Sequence, residues 1–257
     1  MDRIRIVPFK VNFELVKKID RILLWILYIS VILGTVILVI GKWMKTTGDI
    51  YAANLNYIVG TLALFYFLGD VGKRFLLQLA EQRRRRDFID NSLNTNLSDY
   101  HSEGYYSNEQ IDPGVYKMGV NCFENSFFSM SIASRMIKGL VIQSLMVLVI
   151  FSVLIMETDK VTIATFLQFA LPYTVLQQTI ILIIYYFQVN TIFNYFKLVF
   201  GSAQEQKRDL LIIHNVINYE STIAWAGVIL SDRIFNDMNG ELSEKWENMK
   251  QEHHIGD

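Results

Sequence analysis

The chain has 257 residues, 52% of them hydrophobic and 19% charged, with a formal net charge of -1. It is more apolar than an ordinary soluble domain, and with no basic excess it offers no footprint for a nucleic-acid polymer. Its single cysteine, Cys122, excludes an intrachain disulfide and a cysteine-based zinc site, and reads as a small packed side chain.

Residues 1–21 form a charged N-terminal segment, helical from Lys10 to Arg21, and the first long apolar run follows it from Ile22 to Ile40. A helix rises 1.5 Å per residue, so roughly 20 apolar residues cross a hydrocarbon core of about 30 Å. Trp25 and Trp43 stand where interfacial aromatics belong. A second run, Tyr51 to Gly69, closes on Asp70, Lys73 and Arg74, so residues 22–69 are expected to hold two spans.

Residues 70–138 then turn polar. Lys73 to Arg86 continues the second span as a helix, and a loop over 90–114 is expected from its Asn, Ser, Gly and Pro content. Tyr116 to Ile137 regains helical period through Val120, Phe123, Phe127, Met130, Ser134 and Ile137. The third span, Gly139 to Met156, lies between Lys138 and Glu157. From Val161 no charge appears until Lys197, too long for one untilted span, and Pro172 interrupts it. Either Val161 to Leu171 is an interfacial or re-entrant helix and Tyr173 to Phe196 the fourth span, or 161–196 is one kinked, tilted helix. Residues 139–196 thus carry the third and fourth spans.

In the tail, 197–257, a helix is expected from Ala203 to Asn239 with a stop at Asn239-Gly240, then a short amphipathic helix from Leu242 to Glu252 anchored by Trp246. Ile223 to Leu230, with Trp225, is too short to cross and reads as a buried stripe. The expected fold is an all-α integral membrane protein: four transmembrane helices, with a helical cytoplasmic module formed by the middle segment and the tail.

Orientation follows the cations. Six Lys or Arg precede the first span, nine lie between the second and third, and six follow the fourth, against two and one in the short loops at 41–50 and 157–160. Both termini and the middle segment are expected on the cytoplasmic side of the plasma membrane.

No catalytic, cofactor-binding or metal-binding set is legible. His101, His214, His253 and His254 lack ligand spacing, no phosphate loop or nucleophile elbow occurs, and Asp87, Asp90 and Asp99 read as solvated carboxylates. The chain is therefore not expected to be an enzyme. Arg83, Arg84, Arg85 and Arg86 suit phosphates of a signal molecule or lipid through bidentate contacts, or serve topology alone. Asn121, Glu124, Asn125 and Ser126 form a polar patch with the spacing to bridge Asp232, Arg233 or Asn236, either as a structural seam or as a cytoplasmic relay. Within the fourth span, Gln177, Gln188, Asn190 and Thr191 include positions that share a face, for helix contact or a polar pathway.

The order of parts resembles the SMODS-associated four-transmembrane effectors, which accompany nucleotide-second-messenger synthases in bacterial anti-phage loci. The resemblance rests on Phe88-Ile89-Asp90 after the charged helix, on Asn121-Cys122-Phe123-Glu124-Asn125-Ser126, and on Leu230-Ser231-Asp232-Arg233-Ile234-Phe235 followed by Trp246. It departs where Ser92-Leu93-Asn94-Thr95-Asn96 replaces an expected Leu-Pro-Trp element. The resemblance implies an inner-membrane homo-oligomer that answers a cytoplasmic signal, a cyclic oligonucleotide, by disrupting the membrane. Two rival classes stay open: a non-conducting anchor or sensor that recruits a soluble partner, and a small transporter, disfavoured by the absence of ionisable residues within the spans.

Overall fold

The computed structural model describes residues 7–43, 48–102, 105–157, 170–202 and 205–256. Among these the regular structure is entirely helical, in six helices: α1 (Lys10–Trp43), α2 (Gly48–Leu93), α3 (Val115–Glu157), α4 (Ala170–Ser202), α5 (Glu205–Ala226) and α6 (Asp232–Glu252). Three stretches among the described residues are long and apolar enough to cross a membrane: Lys10–Ile37, Ala53–Leu93 and Val175–Ser202. The expected third span falls on the C-terminal part of α3, where several side chains lie outside those described. The expected helix over Val161 to Leu171 lies almost wholly outside the described residues. Pro172 lies within α4 as described.

The helices divide into two compact units. One comprises Glu14–Leu77 and Leu140–Thr179. Here α1 and α2 cross closely, since a Cβ on Gly69 would lie 2.6 Å from Leu23 Cδ2. Beside that crossing Lys73 Nζ reaches Asp20 at 2.8 Å and Asp70 at 3.0 Å, and Arg74 Nε donates to Asp70 at 2.9 Å. On α3 and α4, the Ser144 and Thr179 hydroxyls hydrogen-bond at 2.7 Å. Most of this unit's apolar side chains face outward. Trp25 is 63% exposed, Ile32 62%, Tyr57 78%, Phe65 60% and Val149 62%, and none of the apolar window on α2 is buried.

The other unit comprises Met1–Phe13, Gln78–Gly139 and Ile180–Asp257, and it has a conventional core. Phe123 of α3 lies at its centre, 5.4 to 5.8 Å from the rings of Phe193, Phe196 and Phe200 on α4. Trp246 of α6, 1% exposed, meets it edge-on at 5.2 Å. Asn215 Nδ2 on α5 donates to the Ile192 carbonyl of α4 at 3.0 Å. Gly119 lets α5 approach α3, because a Cβ there would meet three Ile212 atoms at 2.8 to 2.9 Å.

The tail breaks earlier than its periodicity suggests. Gly227, at φ 56°, ends α5 in the left-handed conformation that glycine adopts freely, and its amide returns to the Ile223 carbonyl. Ser231 then caps α6 by accepting from the Ile234 amide. Asn239-Gly240 is therefore interior to α6 and stops nothing; burial of Leu242 and Trp246 offsets the roughly 1 kcal/mol that a mid-helix glycine costs. Trp225, expected to be buried, is 58% exposed. The loop also starts later than expected: α2 continues to Leu93, and Asn94 at φ 55° makes the turn.

Candidate functional site

The arginine run is split by its own helical geometry. Successive residues point about 100° apart, so four guanidiniums cannot share one face. Arg84 is turned inward: its Nη2 donates to Glu220 Oε2 of α5 at 2.6 Å and its Nε to Glu81 at 2.7 Å, with the Arg84 and Glu220 side chains each 12% exposed. Arg85, 38% exposed, shares the same Glu220 oxygen at 3.0 Å. Arg83 donates to Asn12 at 2.8 Å on the surface, and Arg86 is exposed. Two of the four thus close a charged joint between α2 and α5. Beside α5, the Ser129 and Tyr219 hydroxyls meet at 3.0 Å.

The polar loop is clamped by two carboxylates near the end of α2. Asp90 accepts from the Thr95 hydroxyl at 2.7 Å and from the amides of Leu97 and Ser98 at 2.7 and 2.8 Å. Burial pushes its carboxyl up, but these donors outweigh burial and hold it below the usual range. Asp87 accepts from the amide and the hydroxyl of Ser102 at 2.7 and 2.6 Å. Neither is a merely solvated carboxylate, being 3% and 5% exposed.

The same loop engages the polar patch of α3. Asn121, fully buried, donates to Asn91 at 2.9 Å and Ser92 at 3.3 Å and accepts from Asn108 at 3.0 Å. Glu124 accepts from Ser107 and Asn108, each at 2.8 Å. Burial raises the Glu124 carboxyl above its ordinary range by more than these donors lower it. Ser126 is turned onto the Phe123 carbonyl at 2.7 Å, and Asn125 is half-buried. The bonds of Asn121 and Glu124 therefore run to the end of α2 and the loop, whereas Asp232 and Arg233 stand exposed on the first turn of α6. Sequence spacing identified the patch but not its partners.

The amides of α4 are more scattered. Gln177, Gln188 and Thr191 are exposed, and Asn190 is half-buried. Thr191 returns its hydroxyl to the Phe187 carbonyl at 2.9 Å. α3 and α4 run antiparallel in a clear register: Phe123 packs on Phe196, Phe127 on Phe193 at 5.6 Å, and Ser134 lines the same cleft as Tyr186. Gln188 and Asn190 consequently lie level with Met130 to Ser134, on the N-terminal side of Arg135 and Lys138.

That cleft, of about 250 Å³, was not legible in the sequence. Phe127, Met130 and Ser134 of α3 form one wall, Tyr186 of α4 another, and Met238, Leu242 and Lys245 of α6 a third. Glu220, the partner of two arginines, was also missed; its only sequence signal was a charge of opposite sign in a distant helix. No family model matches the chain, and comparison with curated proteins and with solved structures yields no match.

Proposed function

We propose that the chain is a multi-pass inner-membrane effector whose cytoplasmic helical unit receives a signal and whose spans answer it by compromising the membrane. The observation that carries the membrane part is the outward-facing apolar band on α1, α2 and α3, far beyond the few hundred Å² of contiguous apolar patch that a soluble monomer exposes. Cation bias places both termini and the middle segment in the cytoplasm. The expected third and fourth spans, on α3 and α4, complete an even number of crossings. Response to a signal is supported by α2 and α3, each of which runs unbroken from apolar residues into the polar unit. A cyclic oligonucleotide made by a neighbouring enzyme is the signal implied by the resemblance, and self-association is required because four thin spans cannot enclose a pore.

One observation favours a second reading. Gln188 and Asn190 lie level with Met130 to Ser134, on the cytoplasmic side of Lys138 in the proposed topology; that topology leaves only Gln177 of the proposed pathway for the bilayer, which suits a non-conducting anchor or sensor that recruits a soluble partner. Membrane potential and propidium uptake, measured in bacteria expressing the chain with and without its genomic neighbours, separate the two. Neighbour-dependent depolarisation that Gln177→Leu abolishes and Gln188→Leu leaves intact supports the effector. A potential that holds under every condition removes it in favour of the anchor.

A further inference from the structure

α5 presents two faces, and the fold of its own unit uses only one. Ile212, Asn215, Val216, Tyr219 and Thr222 are buried against the rest of that unit. On the other side Leu210 is 70% exposed and Ile217 59%, with Ile213 and Trp225 exposed as well. Between Asp209 and Asp232 the only charged residue is Glu220, and it is turned inward onto Arg84 and Arg85. His214 and Asn218, which hydrogen-bond each other at 3.0 Å, supply polarity at one edge. A solvated helix ordinarily carries its charges on the outer face. The outer face of α5 has no Lys, Arg, Asp or Glu over about four turns.

The exposed positions have the spacing of a helix pair. Leu210, Ile213, Ile217, Ser221 and Ala224 follow one another at steps of three, four, four and three residues, and at 100° per residue they fall within an arc of about 80°. That is narrower than the stripe of about 100° with which a helix lies on a core, and it suits the seam between two helices. The occupant this seam fits is its own copy. A partner of different sequence can be met with complementary charges, whereas on a face that meets itself every charge stands against its like and opposes association. Direction agrees. α5 runs the same way as α3, since Gly119 lies against Ile212 and Ser129 against Tyr219, and α3 continues unbroken into the apolar residues of the expected third span. Copies that share a bilayer are related by rotation about its normal, so their α5 helices meet in parallel and each stripe residue faces its counterpart. From Leu210 to Ala224 the stripe is about 21 Å long. A seam of that length falls short of the roughly 800 Å² per partner that a stable complex buries when formed from solution. Confinement of both chains to one bilayer supplies the remainder as effective concentration.

We propose that α5 is a dimerisation helix, through which two chains in one membrane pair in parallel along Leu210, Ile213, Ile217, Ser221 and Ala224, with Trp225 covering the rim of the seam. Because the opposite face of α5 holds Glu220 in its joint with Arg84 of α2, pairing links the arginine joints of the two chains across the axis. This names the surface by which the copies of the effector associate, and it rests on the membrane placement above.

The test is disulfide cross-linking of the full chain in cell membranes. Cys122 is buried and offers no competing thiol. Ile217→Cys should form a dimer under mild copper phenanthroline oxidation, whereas Glu244→Cys, exposed on α6, should not. Adding Leu210→Glu to Ile217→Cys sets two carboxylates against each other and should cut the cross-linked fraction about tenfold, as should Leu210→Lys. Co-expression of the two charged variants, differently tagged, should restore the cross-link as a mixed dimer, which a misfolded chain could not do. Absence of a dimer from Ile217→Cys, equal cross-linking of Glu244→Cys, dimers that persist in Leu210→Glu, or a product whose mass reveals a different protein overturns the proposal. Membrane potential in the same cells separates the causes. Depolarisation that persists in Leu210→Glu without cross-links refutes the α5 pair alone; cross-links in cells whose potential never changes keep the pair and remove the effector. Release of the chain by carbonate extraction refutes the shared bilayer, and the pair with it.

Discussion

Replacing Glu220 by Gln tests whether the arginine run is a joint or a receptor. The substitution keeps shape and removes the charge that Arg84 Nη2 contacts at 2.6 Å and Arg85 Nε at 3.0 Å. A hydrogen bond to a charged group contributes about 1.5–3 kcal/mol, and Arg84 at 12% exposure is dry enough for that range to apply. The Arg85 contact, 38% exposed, adds at most about 1 kcal/mol because solvent screens it. Glu220 Oε1 is buried without a hydrogen-bond partner among the described residues, so removing the charge also relieves some desolvation and offsets part of the loss. Arg84 keeps Glu81 at 2.7 Å, which prevents the full penalty of an orphaned buried charge. The net cost is about 2–3 kcal/mol, or roughly 4–12 °C in the melting temperature of the cytoplasmic unit. Melting should be followed by intrinsic fluorescence in detergent, beside Arg86→Gln as the exposed control. An unchanged melting temperature for Glu220→Gln, or an equal loss in Arg86→Gln, would refute the joint.

Gly119→Ala places a methyl group against Ile212; overpacking costs about 1–3 kcal/mol and helix propensity returns roughly 1 kcal/mol, so a net loss of about 0–2 kcal/mol is expected. The double variant with Ile212→Ala should lose less than the sum of the two single losses, read as a coupling in the same melts. Asp90→Ala should free the loop, seen as faster amide exchange at Leu97 and Ser98 and proteolytic nicking within 94–102. Since the folded Asp90 carboxyl lies below its ordinary value of 3.8, its stabilisation is present above that value and is lost as pH falls through the folded one. Glu124 acts oppositely: its folded value is raised above 4.5, so its contribution is present below 4.5 and is lost as pH rises through the folded value. Glu124→Gln should therefore melt higher than the parent at neutral pH, with the difference shrinking on acidification. A pH-independent difference would sink that account.

The sequence by itself determined what hydropathy and charge can carry. Uninterrupted apolar runs specify long helices because a bilayer, like a core, tolerates no unpaired backbone, and the segregation of Lys and Arg marks the polar unit apart from them. The helical period through Phe123 and Phe127 and the burial of Trp246 were legible for the same reason, since apolar side chains at three- and four-residue spacing must share a buried stripe. Partnership was not legible. Glu220 lies 136 positions from Arg84, and no local rule pairs them. Asp90 and Asn94 read as loop by composition, yet Asp90 is helical and its carboxylate takes donors from Thr95, Leu97 and Ser98 of the loop that follows. The α5 and α6 helices part at Gly227 rather than at Asn239-Gly240 because Ser231 and Trp246 give the second helix a cap and an anchor, while Gly240 is carried along. The level of Gln188 and Asn190 followed only from the pairing of Phe127 with Phe193 and the seating of Ser134 with Tyr186, which depends on how two helices slide against each other. Helix formation is local and repeats along one chain; register, ion pairing and clefts arise between segments distant in sequence, and there the folded structure alone decides.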